Sequence, residues 1–211
     1  GPAGDLMTEK CIAETGLKPL YYGIIGMRQF TNSKHEIVTP DDLKGLKIRA
    51  QNNSVQVKGL SAFGCSISTM SFSEVFTSLQ QGTIDGQENP IETLYNFQYY
   101  DVQDYVTISN HLCTAGAVVC NNAWYEGLSD EFKAAVDKAA QVAEAYSIEE
   151  LNSSESEVLS LLAEKMQVTE LTEEQLAAFQ DVAKTAWPEL VDEIGSDYMN
   201  EFLTAAGISM N

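Results

Sequence analysis

An α/β fold with a largely parallel sheet is predicted by three features of the chain. Short β-branched runs alternate with helical stretches, helix-start signals follow those runs, and glycines close them. The 211 residues suffice for one large domain or two small lobes. With 44% hydrophobic and 20% charged residues the balance is that of a folded protein, not a disordered one.

Taken in order, residues 5–16 read as a helix with Asp5 as N-cap and Gly16 as its stop, and Gly1-Pro2 resembles a protease scar and is set aside. Leu17 to Phe30 is rich in β-branched and aromatic residues and reads as a strand ending near Arg28, with Gly23 and Gly26 as bulges or close approaches. Thr39-Pro40-Asp41-Asp42 supplies an N-cap, a proline at the first helical position and first-turn acids for a short helix stopped at Gly45. Residues 46–50 alternate as a strand, and a helix over 53–62 is punctuated by Gly64. Ser71-Phe72-Ser73-Glu74 is a capping box opening a helix to Gly82. Residues 83–86 read as a short strand entering a turn that holds Gln87-Glu88-Asn89, after which Pro90 begins another helix. Two strands are expected over 104–109 and 115–121.

From Ser129 to about Lys165, Phe132, Val136, Ala139, Ala143 and Tyr146 recur at helical steps. Between Ser147 and Glu157 only Ile148 and Leu151 are apolar. A long helix with a polar waist suits an element bridging two lobes, and a break near Asn152-Ser153-Ser154 is equally allowed. Thr172-Glu173-Glu174-Gln175 caps a further helix, which Pro188 should kink or replace with a new one.

Lys and Arg number 12 against 31 Asp and Glu, a net charge of −19. That excludes a nucleic-acid binder or an anionic-membrane binder, both of which need clustered cations. No apolar run approaches the roughly 18 residues of a spanning helix, and no signal peptide is present from which to read localisation. The excess is uneven, with 12 acids and eight bases in residues 1–114 against 19 acids and four bases in 115–211. Solvated helices with acidic outer faces account for the second part.

Cys11, Cys65, Cys113 and Cys120 form no Cys-x-x-Cys pair, and His35 and His111 are far apart. His111 and Cys113 share a face if their stretch is a strand, a spacing too loose for a zinc site and poor for base-assisted attack. Neither a metal nor a cofactor is expected, and an enzyme is not: no Gly-x-Ser-x-Gly, phosphate-loop, dinucleotide or His-Glu-x-x-His motif occurs. An even cysteine count permits disulfides in an exported protein, but buried free thiols are the expectation.

Only two arginines occur, Arg28 and Arg49. A guanidinium presents a planar fork that matches a carboxylate at two points, which lysine cannot. Arg49 falls at a strand end, where open α/β sheets hold ligands, and Asn89 falls before a helix start, so an amide and two arginines could hold one anion. The alternative is that the arginines pair with acids such as Asp41 or Asp85.

Three stretches occur in order: residues 39–49 (Thr-Pro-Asp-Asp-Leu-Lys-Gly-Leu-Lys-Ile-Arg), residues 70–82 from Met70 through the capping box to Gly82, and Asp85-Gly86-Gln87-Glu88-Asn89-Pro90. The series closely resembles the substrate-binding subunit of TRAP transporters, with Tyr100 to Gln103, Asn110-His111, Asn121, Trp124 and Leu128 adding to it. The resemblance implies the C-terminal lobe of a two-lobe periplasmic-binding-protein-like fold with a long lobe-bridging helix. It implies that residues 3–25 are a remnant of the N-terminal lobe and 26–114 the first part of the C-terminal ligand-binding lobe. Residues 115–154 are then the strand and bridging helix that complete the N-terminal lobe, and 155–211 the second part of the C-terminal lobe. Most of the N-terminal lobe is missing by this alignment, so a fragment or truncated product is expected, whose bared strand 115–121 favours a homodimer or domain swap.

Position by position, the resemblance implies that Arg49 makes the principal salt bridge to a ligand carboxylate. It implies that Arg28 also faces the ligand, that Asn89 bonds the same carboxylate and that Phe72 lines the cleft. Asn121 and Trp124 are weaker matches at a strand-to-helix corner, and His111 is treated as structural. The implied function is extracytoplasmic or periplasmic capture of an organic acid and its delivery to TRAP membrane subunits, with no direct membrane insertion. Sugar acids, dicarboxylates and small monocarboxylates are all candidates, and Gln51-Asn52-Asn53-Ser54 leans toward sugar acids. The alternatives are an interaction or scaffold protein that no longer binds ligand, and a hydrolase using Cys113 or His111.

Overall fold

The computed structural model describes residues 1–208, apart from the side chain of Asn152. Its elements are α1 (Pro2–Thr15), β1 (Leu17–Asn32), a 3-10 turn (Pro40–Leu43), β2 (Lys47–Ala50), α2 (Ser54–Ser61), β3 (Ser66–Thr69), α3 (Phe72–Gln80) and β4 (Gly86–Pro90). There follow α4 (Ile91–Asn96), a second 3-10 turn (Tyr99–Asp101), β5 (Tyr105–Asn121), α5 (Asn122–Glu126), α6 (Asp130–Ala163), β6 (Gln167–Glu170), α7 (Glu173–Lys184), α8 (Trp187–Ile194) and α9 (Ser196–Ala206). The six strands form one sheet in the order β3-β2-β4-β1-β5-β6. β2 is parallel to β3 and β4, and β5 to β6, whereas β1 and β4 are antiparallel. The class is α/β, with a mixed sheet.

Local chemistry sets the helix starts. Ser71 N–H donates to Glu74 Oε2 at 2.9 Å and Thr172 N–H to Gln175 Oε1 at 2.8 Å, each closing a capping box. Thr39 N–H donates to Asp42 Oδ2 at 2.8 Å in the same way, though the element it opens is a single 3-10 turn. α1 begins three residues earlier than expected: Asp5 N–H donates to the Gly1 carbonyl, so Gly1 is the N-cap and Pro2 occupies the first turn, where its missing N–H costs nothing.

Several elements differ from the sequence expectation. β3 and β6 are additional strands, and α9 an additional helix. The expected turn over Gln87-Glu88-Asn89 is strand β4, buried along its whole length. The two strands over 104–109 and 115–121 are one 17-residue strand that passes Asn110 at φ 45°. Arg28 lies within β1, not at its end. α6 runs unbroken through residues 152–154, and Pro188 falls in the first turn of α8.

The chain divides into two compact units, residues 1–25, 115–153 and 194–208 in the first, and 26–114 with 154–193 in the second. The second unit holds both hydrophobic clusters. One gathers Phe30, Ile48, Leu60, Phe63 and Phe179, and the other gathers Val75, Leu79, Leu94, Tyr99 and Leu162. Each such side chain contributes roughly 1.5–3 kcal/mol when fully buried. Among the described residues of the first unit, Pro19, Tyr125 and Ala140 are the buried ones. Two polar contacts tie its elements: Thr8 Oγ1 meets Tyr22 Oη at 3.1 Å, and Tyr125 Oη donates to Asp137 at 2.8 Å.

α9 packs on α1, where Lys10 Nζ lies 5.0 Å from the centroid of the Tyr198 ring. Residues 194–208 therefore group with the first unit, whereas the sequence reading places all of 155–211 with the second; residues 209–211 lie outside the described residues. All four cysteines are free, but only Cys65 is buried, and Cys113 is exposed, against the expectation of buried thiols throughout. No helix among the described residues is long and apolar enough to cross a membrane.

Candidate functional site

The second unit holds all four residues singled out by the sequence. Arg49 is the third residue of β2 and stands opposite Gln87 of β4, so the two side chains share a face of the sheet. It is 2% exposed, and its Nη2 donates to the Met70 carbonyl at 2.9 Å. Its Nε and Nη1 are buried and donate to no acceptor among the described residues. Burial pushes the guanidinium below its usual range, Glu88 and Tyr99 oppose that shift, and Arg28 adds to it. An arginine still remains charged. Two buried cationic donors without acceptors are costly unless something fills them.

Arg28 is placed differently. Its Nε donates to Glu88 Oε2, and its Nη2 to Glu88 Oε1 at 2.8 Å and to Asn89 Oδ1 at 3.0 Å. Nη1 reaches Thr114 Oγ1 at 3.1 Å. All three nitrogens have protein partners, so Arg28 is held in place by the protein itself. Its acid is neither Asp41 nor Asp85: Asp41 pairs with Lys44 and Asp85 with Lys34.

Glu88 is fully buried. It also accepts from Gln56 Nε2 at 2.9 Å, and His111 Nε2 stands 3.5 Å from its Oε2, at the outer limit of a hydrogen bond. Burial pulls the carboxyl up, but His111 and Arg28 together hold it below the usual carboxylate range. Burial likewise lowers His111, with Glu88 opposing, which favours a neutral ring.

Asn89, 4% exposed, belongs to a buried chain of side chains in which every donor points the same way. Arg28 Nη2 donates to Asn89 Oδ1, Asn89 Nδ2 to Gln87 Oε1, Gln87 Nε2 to Thr31 Oγ1, and Thr31 Oγ1 to Gln103 Oε1. The chain fixes the orientation of each amide. β4 can bury Gln87, Glu88 and Asn89 because β1 supplies these partners.

Phe72, the first residue of α3, is 39% exposed, which sets it apart from the core. Its ring meets Phe97 edge-on at 4.7 Å and lies 6.3 Å from Tyr99. It forms an aromatic ledge two residues beyond the carbonyl that Arg49 grips. Asn121 caps α5 by accepting from Trp124 N–H at 2.9 Å, and Trp124 is exposed.

Sequence reasoning singles out Arg28 and Asn89 and misses the network that holds them. Glu88, Gln87, Thr31, Gln103 and Gln56 were not singled out. The signal available was the Gln-Glu-Asn run beside two isolated arginines, since a buried arginine needs an acid in reach. No group of three His, Cys, Asp or Glu among the described residues is placed to hold a metal.

Comparison with known proteins matches residues 4–193 to the family described as bacterial extracellular solute-binding protein, family 7, or DctP. The 2,3-diketo-L-gulonate-binding periplasmic protein YiaO of Escherichia coli (strain K12) is 38% identical over 146 residues, 69% of this chain and 44% of that protein. The C4-dicarboxylate-binding periplasmic protein DctP of Vibrio cholerae is 32% identical over 203 residues, covering 93% of this chain and 59% of that protein. A solved structure of the periplasmic ectoine-binding protein from the TeaABC TRAP transporter of Halomonas elongata superposes with a TM-score of 0.88 at 30% identity, covering 96% of this chain and 67% of that one. The chain thus spans 44–59% of these two curated relatives. It belongs to family 7 of the bacterial extracellular solute-binding proteins, the DctP family of TRAP-transporter binding subunits, which is not a family of enzymes.

Proposed function

We propose that the chain captures an organic acid outside the cytoplasm, in the periplasm, and delivers it to the membrane subunits of a TRAP transporter. In this reading residues 26–114 and 154–193 are the carboxylate-binding lobe, and the first unit is part of the other lobe. Arg49 receives the carboxylate on its free donors, Asn89 and Phe72 border it, and Arg28 supports them. The observation that carries the reading is the pair of buried, unpartnered Arg49 nitrogens. Each forms a two-donor fork with the second hydrogen of Nη2, which spends one on Met70, and such a fork fits a carboxylate on a strand that holds it in place. The named ligands of the relatives, a diketogulonate and C4-dicarboxylates, are organic acids.

A homodimer belongs to the same reading: Ile24, Ile25, Val118 and Val119 of the first unit are all exposed, an apolar surface on which a second copy would pack. Light scattering that shows a monomer at high concentration removes the homodimer and leaves the ligand reading intact.

The test of ligand capture is a thermal-shift screen of the chain against organic acids, with Arg49→Lys and Arg49→Ala alongside. A ligand at 100 times its Kd stabilises by about 2.7 kcal/mol. The reading requires a shift in the parent that both variants lose. An acid that stabilises Arg49→Lys as well as the parent would overturn the two-point role, and no shift with any acid would overturn capture by this chain.

A further inference from the structure

Glu92 is an acid left without a counter-charge among the described residues. It sits half-buried in the first turn of α4, three residues after Asn89, and its Oε1 is buried with no hydrogen-bond partner. The lysines and arginines that form ion pairs in the second unit hold other acids. The charged side chain that faces Glu92 is Glu155, of like sign. A first-turn acid gains from the helix dipole, but an exposed carboxylate has that gain without burying an oxygen.

One side of the carboxyl is kept bare. A Cβ at Gly26 would meet Glu92 Oε2 at 3.5 Å and press on Pro90 Cβ at 2.8 Å, and the glycine has none. The same helix packs beside the arginine site: Ile91 and Leu94 of α4 share a hydrophobic cluster with Met70, whose carbonyl Arg49 grips. Arg49 stands opposite Gln87, and Asn89 lies two residues, about 7 Å, further along β4. A guanidinium with free donors and a carboxyl with a free acceptor thus stand before and after Asn89 on the run from β4 into α4.

We propose that Glu92 receives a cationic group of the ligand while Arg49 holds its carboxylate, so that the class captured is a zwitterion: a carboxylate bearing an ammonium several atoms away. The proposal rests on the carboxylate-capture reading above and adds the opposite pole to it. An ammonium supplies the donor that the carboxyl lacks and offsets Glu155. The last torsion of a glutamate is soft, so either oxygen can turn to meet it. A plain acid brings only an anion toward an unpaired carboxylate and gains nothing there.

The parent chain and Glu92→Gln are titrated by calorimetry at pH 7 and constant ionic strength. The probes are 4-aminobutyrate, 5-aminopentanoate and 6-aminohexanoate, each beside the plain acid of its own length: butyrate, pentanoate and hexanoate. The expected result is that at least one amino acid binds the parent about tenfold or more tightly than its plain counterpart, the scale of one charge-assisted bond. Glu92→Gln then loses that preference to within about twofold, and binds the plain acids at least as well as the parent does. Glu92→Ser, which also removes the charge, should lose the preference in the same way and replaces Glu92→Gln if that variant does not fold.

A parent preference below tenfold at every length overturns the proposal and leaves capture standing. So does a preference that the Glu92 variants retain. If neither series binds, the proposal is overturned, and the wider screen of organic acids decides capture by itself.

Discussion

Phe30 stacks on the imidazole of His111 with ring centroids 3.9 Å apart and planes at 14°, and Phe63 meets the same imidazole edge-on at 6.2 Å. The histidine is thus enclosed by aromatic faces, with Ser109 Oγ and Glu88 Oε2 beside its ring nitrogens. Ser109 Oγ lies 2.8 Å from Nδ1, while Nε2, 3.5 Å from Glu88 Oε2, is buried without a hydrogen-bond partner among the described residues.

This enclosure sets a pH dependence. Burial lowers His111 in the folded state, so the unfolded chain binds the proton more readily. The stability it contributes is fully present above the ordinary histidine value of about 6.5 and is lost as pH falls below it. Between pH 7 and pH 5 the loss is at most about 2 kcal/mol, the limit set by an unfolded histidine of ordinary pKa. The charged groups facing the ring, Glu88 and Arg28, pull in opposite directions. Urea titrations of the parent and of His111→Gln at pH 5, 6 and 7 check this, and an unchanged slope with pH in His111→Gln would assign the dependence elsewhere.

Arg49 is expected to trade stability for binding. Arg49→Met removes two buried donors that have no protein acceptor, at the loss of one bond to Met70. Leaving such groups unmet costs about 1–3 kcal/mol, so the ligand-free variant should gain on the order of 1 kcal/mol while losing carboxylate binding. Calorimetry without ligand measures the gain, and a lower Tm than the parent would show that Arg49 is already satisfied.

Glu92 runs opposite to His111. Its carboxyl is raised by burial and by Glu155, and its Oε1 is buried without a partner. A raised acid contributes stability below its unfolded value of about 4.3, and that contribution is lost as pH rises through the folded value. Glu92→Gln should therefore raise Tm at pH 7 and leave it unchanged at pH 4. Equal effects at both values would point to packing in place of charge.

Gly86 stands where no larger residue fits. A Cβ there would lie 2.1 Å from the Thr31 carbonyl oxygen and 3.0 Å from Ile48 Cδ1. Gly86→Ala must push β4 from both neighbours, at a cost of roughly 1–3 kcal/mol or more. Weaker carboxylate binding should accompany the lower Tm, because Glu88 and Asn89 follow on the same strand. A Tm equal to that of the parent would contradict this close approach.

Much of this was legible in the residues. The capping boxes at Ser71 and Thr172 mark helix starts because the reciprocal bonds are local, and Arg49 stands out because arginine is scarce in this chain. What escaped depends on contacts far apart in sequence. β3 and β6 are four residues each, too short for a period to show, and pairing with β2 and β5 makes them strands. Gln87-Glu88-Asn89 reads as a turn because polar runs are normally solvated. Its burial depends on Thr31 and Arg28, some 60 residues away. The Arg28–Glu88 pair escaped for the same reason, and so did the docking of α9 on α1, which took residues 194–208 out of the unit expected for them.

A strand that buries polar groups also restricts how the chain can assemble. β4 sets Glu88 opposite Phe30 and Gln87 opposite both Thr31 and Arg49. Slipping by one residue would turn each of these side chains to the other face of the sheet, stripping Glu88 from Arg28 and breaking the amide chain at once. An apolar strand would tolerate such a shift far better. The polar ladder therefore acts as a key for strand pairing: misregistered forms of this sheet bury unpaired charge and are rejected during folding, so the groups that ready the protein for an anion also select its native alignment.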